Sequence, residues 1–97
     1  PPPATDTTTK GKDVDPSKSV NETLTRADAA RRRGDCAAAV PSYESVRKSG
    51  ARQQRARALV GLALCAEAAG DASRANDLFA QARAEDSEID AYIDSVR

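Results

Sequence analysis

The chain has 97 residues, room for a single domain. It is 39% hydrophobic and 31% charged, and its 15 basic residues balance 15 acidic ones, so it lacks the overall basic excess of a nucleic-acid binder. Aromatics make up only 3%, which leaves the core to Ala, Val, Leu and Ile, and no apolar run approaches the roughly 18 residues needed to cross a bilayer.

No secretory signal is visible, and the opening on Pro1 rather than Met predicts a piece excised from something longer. Residues 1–18 are dominated by Pro, Thr, Lys and Asp, with Val14 the only large apolar side chain. Such a segment buries too little surface to offset its ordering entropy. It predicts a disordered linker that tethers a domain over 19–97 to a membrane anchor or a preceding domain.

Helix signals begin at Ser19, which with Glu22 matches a capping box. Val20, Leu24, Ala27 and Ala30 then recur at helical spacing, and Arg31, Arg32 and Arg33 complement the dipole of the last turn. Gly34 ends this helix and Asp35 can cap the next. The second helix aligns Cys36, Ala39, Val40, Tyr43 and Val46 on one face. Pro41 inside it predicts a kink or a later start.

The third helix, about Arg52 to Ala69, is apolar on more than one side, as expected of a helix buried between neighbours. Its Gly61 weakens helix propensity and predicts a close packing contact. The fourth helix, about Ala72 to Ala84, carries Ala75, Leu78, Phe79 and Ala82. Ser87 with Asp90 resembles another cap, and Ile89, Tyr92, Ile93 and Val96 mark a fifth helix. The expected fold is all-α, with about five helices as antiparallel neighbours and the third the most buried.

Two stretches repeat with a spacing of 36. Gly34-Asp35 matches Gly70-Asp71, Ala39 matches Ala75, Tyr43 matches Phe79 and Val46 matches Ala82; ahead of each turn, Ala27 matches Ala63 and Ala30 matches Ala66. The chain from Val20 to Arg97 resembles the tetratricopeptide repeat (TPR) family, whose helix–turn–helix unit is about 34 residues long. The resemblance implies an α-solenoid of antiparallel helix–turn–helix repeats at about 20–50 and 56–86, closed by a capping helix at 88–97. Some features depart from the family pattern. The first helix has only Leu24 as a large apolar residue, Ala51 and Ser87 stand near the places of the usual closing proline, and two extra residues lie between the units.

The chain contains no His, which removes Ser-His-Asp and Cys-His catalysis and the commonest metal ligand. Two cysteines alone cannot close a zinc site, and no glycine-rich phosphate loop occurs. Glu85, Asp86 and Glu88 have helix-surface spacing rather than that of an acid/base pair. The expectation is therefore no catalytic residues, no metal and no cofactor.

Protein binding is the expected function. The resemblance implies a surface lined by the first helix of each unit, placing Leu24, Asp28, Arg31 and Arg32 from one unit beside Val60, Leu64 and Glu67 from the next. Leu24, Val60 and Leu64 would form an apolar floor with a basic rim; core packing of Val60 and Leu64 against the fifth helix is the other reading. Asp28 and Leu64 stand where the family's clamp for acidic C-terminal tails has its asparagine and basic groups, so a receptor for chaperone tails is not expected. The partner is thus expected to be another protein or peptide, with no nucleic acid and no direct membrane insertion.

Charge is divided along the chain. Between Thr23 and Ala58 nine basic residues face three acidic ones, and from Leu59 onward eight acidic residues face three basic. Solvated helix faces explain this; a polar docking surface or salt-dependent head-to-tail self-association is the sharper reading. A structural spacer is the competing class of function.

In a stacked array the start of the second helix lies beside the end of the third, so Cys36 and Cys65 are expected to form a disulfide. A bridge implies an oxidising compartment, periplasmic or otherwise exported, and a place in a larger bacterial envelope protein. Two reduced thiols in a cytoplasmic protein are the alternative.

Overall fold

The structure, a computed structural model, describes residues 16–97. Five helices follow in order: α1 (Pro16–Arg32), α2 (Cys36–Ser49), α3 (Arg52–Ala68), α4 (Ala72–Glu85) and α5 (Ile89–Val96), with no strand among the described residues. The fold is all-α. Connections of two or three residues turn each helix back along its predecessor, and contacts between chain-distant ends confirm the direction. Arg55, near the start of α3, bonds Glu85 at the end of α4 at 3.0 Å. None of these helices is long and apolar enough to cross a membrane.

The α1 start departs from expectation. The helix begins at Pro16, where the missing N–H costs nothing in a first turn. Ser19 is already inside it, its carbonyl accepting from Thr23 Oγ1 at 3.2 Å, so the Ser19–Glu22 capping box does not form. The predicted linker boundary moves with it. Residues 16–18 belong to the helix, and residues 1–15 lie outside the described ones.

The two Gly-Asp turns are built alike. Gly34 has φ +82° and Gly70 φ +84°, a left-handed conformation that only glycine adopts without steric cost. Asp35 N–H donates to Ala30 O and Gly34 N–H to Arg31 O; Asp71 N–H donates to Ala66 O and Gly70 N–H to Glu67 O, each bond displaced by 36 residues. The aspartates then cap the following helices, Asp35 accepting from Ala38 N–H and Asp71 from Arg74 N–H, both at 3.1 Å. Because Asp35 caps it, α2 starts at Cys36 and runs through Pro41, and the later start does not occur. The carbonyl of Ala37, deprived of its partner, lies where both residues are exposed and water can reach it.

At α5 the expected Ser87–Asp90 cap is replaced. Asp86 supplies the turn instead, its carboxylate accepting from Glu88 N–H at 3.0 Å and its carbonyl from Ile89 N–H at 3.1 Å. Asp90 is free to accept from Arg83 Nε at 2.8 Å.

The core follows the repeat. Ala39 and Ala75, Tyr43 and Phe79, Val46 and Ala82, Ala27 and Ala63, and Ala30 and Ala66 are all buried. Helix α3 packs against all four other helices, which accounts for its lack of a polar side.

Candidate partner-binding groove

A polar triad ties α1 to α2. Tyr43 has no exposed surface, so its hydroxyl needs partners. It donates to Asp28 Oδ1 and accepts from Arg31 Nε at 3.1 Å. Burial pushes the Tyr43 phenol well above its usual range, the Asp28 hydrogen bond adds to this, and Arg31 partly opposes it. Asp28 and Arg31 lie 3.8 Å apart, with side chains 17% and 12% exposed.

Helix α5 packs against α3 and α4, but its buried Ile89 and Ile93 stand 36 residues after the exposed Gln53 and Arg57, so only its end keeps the register of α3. Val96 stands 36 residues after Val60 and Arg97 36 after Gly61. Gly61 lies against the Tyr43 ring; at the equivalent place the Arg97 guanidinium lies 5.3 Å from the centroid of Phe79. Arg97 also pairs with Glu67 at 3.0 Å, fixing the end of α5 to α3 and α4. Helix α5 thus lies beside α1 and α3, and a groove runs along the surface they share.

Two cavities make up this groove. One, of about 590 Å³, involves Arg31, Leu64, Glu67, Val96 and Arg97. The other, of about 280 Å³, lies between α1 and α5 and includes Leu24, Asp28, Arg32, Arg57 and Tyr92. Val96 borders both. Six of the seven sequence-predicted contact residues therefore come together on one surface, and Val60 is the exception.

Their roles differ from the expectation. Val60 has no exposed surface and Leu24 only 6%, so neither forms an apolar floor open to a partner: the core takes both. Asp28 and Arg31 serve the buried phenol, and Glu67 is paired with Arg97. Leu64 remains half-buried at the groove wall, and Arg32 is exposed with no ion pair among the described residues. Sequence reasoning missed Asn21, Arg57, Tyr92 and Val96 as groove residues. For Val96 the 36-residue register was a usable signal. For the others, no local pattern foretold that α5 approaches α1.

The chain matches no protein-family model, and comparison with curated proteins and with solved structures finds no significant match. The groove is accordingly read from its own chemistry. Among the described residues no cluster of three or more Cys, Asp or Glu side chains is placed to hold a metal ion.

At one end of the groove, Cys36 and Cys65 form a disulfide with Cα atoms 5.7 Å apart. It joins the first residue of α2 to the last turn of α3, the pairing expected from stacked helices. Gly34, Cys36 and Cys65 border the larger cavity, so the bridge holds the turn after α1 against α3 where the groove begins.

Proposed function

We propose that this domain is a protein-interaction module of the tetratricopeptide-repeat type, which receives a segment of a partner protein in the groove of α1, α3 and α5 and performs no chemistry itself. One observation carries the reading: the 36-residue recurrence of turn, hydrogen bonds and buried residues from α1 through α4. In that family first helices line the surface that takes peptides or helices. Here Leu64 and Val96 supply half-buried apolar contact, and Arg32 and Arg57 a basic rim.

The disulfide supports an oxidising location, and we place the domain in an exported part of a larger envelope protein, such as one facing a bacterial periplasm. The test is recovery of partners from the native cell with the tethered domain as bait. Leu64→Asp and Arg32→Glu, in proteins shown to be folded, should each lose the partner, whereas Ser45→Asp on the exposed side of α2 should keep it. Retention by both groove variants refutes the groove.

The division of charge supports a second reading, self-association. Residues 18–57 carry ten basic and four acidic side chains, and residues 58–97 three basic and eight acidic. Sedimentation at low and high salt separates the readings, since a dimer held by these charges dissociates as salt rises.

A further inference from the structure

The smaller cavity, between α1 and α5, has an imbalance of hydrogen-bonding groups. Asp28 is its only acidic residue among the described ones, and that carboxylate is already engaged by Tyr43 and Arg31. The Thr25 and Ser95 hydroxyls donate to carbonyls of their own helices, at 3.0 and 2.7 Å. Asn21, Arg32, Arg57 and Tyr92 remain, each with an N–H or O–H that has no acceptor among the described residues.

Arg57 holds its guanidinium 4.9 Å from the centroid of the Tyr92 ring, a contact that orients the fork and leaves its N–H groups uncommitted. Arg32 makes no ion pair among the described residues. Asn21 uses its oxygen to accept from Gln54 Nε2 at 3.0 Å, so its amide N–H₂ is available. The Tyr92 hydroxyl has no partner among the described residues. Burial raises its pKa, Asp28 adds to the rise, and Arg57, Arg31 and Arg32 oppose it.

We propose that this cavity is a carboxylate pocket, in which Arg32 and Arg57, beside Asn21 and Tyr92, grip an acidic side chain of the segment bound in the groove. Guanidinium forks match a planar carboxylate, and about 280 Å³ accommodates the end of a Glu or Asp side chain. The pocket meets the apolar stretch at Val96, so an acidic residue seated here leaves its neighbour against Leu64 and Val96. The inference rests on the groove reading and adds to it the chemistry of the ligand.

The test uses blocked hexaglutamate and hexaglutamine peptides, with sodium sulfate as a free anion, titrated into the isotopically labelled chain. Hexaglutamate should shift the amide resonances around Asn21, Arg32, Arg57 and Tyr92, and hexaglutamine should not. Arg32→Gln with Arg57→Gln should weaken hexaglutamate about tenfold or more, and Tyr92→Phe about threefold, from lost hydrogen bonds to a charged group. Arg26→Gln with Arg33→Gln removes the same charge from α1 and the turn after it, outside the pocket, and should cost under about twofold by general screening alone. Equal weakening by the two double variants, or sulfate binding as tightly at the same resonances, overturns the carboxylate pocket. Native partners separate this from failure of the groove. Partners kept by Arg32→Gln with Arg57→Gln but lost by Leu64→Asp overturn the pocket alone; partners kept by all of these overturn both.

Discussion

Gly61 packs directly against the ring of Tyr43. A Cβ built on Gly61 would stand 2.6 Å from Tyr43 Cε2 and closer still to Cζ and Cε1. That ring cannot retreat, because its hydroxyl is held by Asp28 and Arg31 and its faces are fully buried. Gly61 therefore sets how near α3 comes to α2. Gly61→Ala gains about 1 kcal/mol of helix propensity but overpacks a rigid site by about 3 kcal/mol, a net loss of about 2 kcal/mol. Denaturant unfolding measures it. In a double-mutant cycle, Tyr43→Leu should remove most of the penalty of Gly61→Ala; purely additive losses would show that the ring is not the obstacle.

Neither tyrosine should titrate normally. Both folded phenols have pKa values raised above their usual 10.0, Tyr43 the more strongly, with burial the largest cause. A raised folded pKa means that the neutral form stabilises the fold fully below the unfolded pKa, and that this contribution is lost as pH rises above it. Tyrosinate absorbance should thus stay low through the normal phenol range and then appear together with loss of helical circular dichroism. A normal tyrosinate transition in a still helical protein would contradict the burial of Tyr43. Tyr43→Phe, which leaves Asp28 and Arg31 without their shared partner, should cost about 1–2 kcal/mol at neutral pH.

Reduction should weaken the domain substantially. The Cys36–Cys65 bridge spans a sequence separation of 29. On the chain-entropy account a loop of that size contributes about 3.6 kcal/mol. Intact mass should rise by two hydrogens on reduction, and the urea midpoint should fall in step. Unchanged mass in protein from its native compartment would remove the bridge and the main support for an exported location.

The ion pair between α3 and α4 predicts a small loss of stability in acid. Glu85 accepts two bonds from Arg55, at 3.0 and 3.2 Å, and Arg55 also donates to Gly50 O at 2.9 Å. The Arg55 hydrogen bonds hold the Glu85 carboxyl below the usual range. A depressed folded pKa contributes stability above the unfolded value and loses it as pH falls through the folded one. Glu85→Gln should flatten the acid limb of the stability profile in low salt, and high salt should erase much of the difference. An acid limb identical to wild type would show that the pair contributes nothing in solution.

Much of the architecture was legible in the sequence because it rests on local rules. Gly34-Asp35 and Gly70-Asp71 specify a left-handed residue followed by a cap, requirements met within a few residues, and apolar spacing placed all five helices to within a few residues. Antiparallel stacking of neighbouring helices even placed Cys36, at the start of α2, beside Cys65, at the end of α3. Where several local signals competed, tertiary structure chose among them: Pro16 rather than Ser19 opens α1, and Asp86 rather than Ser87 organises the turn into α5. The sequence could nominate Asp28, Arg31 and Val60 as surface residues, but only the approach of α2 recruits the first two to a buried phenol, and only packing takes Val60 into the core. The arrangement of Asn21, Arg32, Arg57 and Tyr92 likewise depends on α5 folding back to α1 across more than half the chain. Hydrogen bonds within a turn are set by the order of residues, whereas the donors left unpaired in a groove are set by which helices meet there.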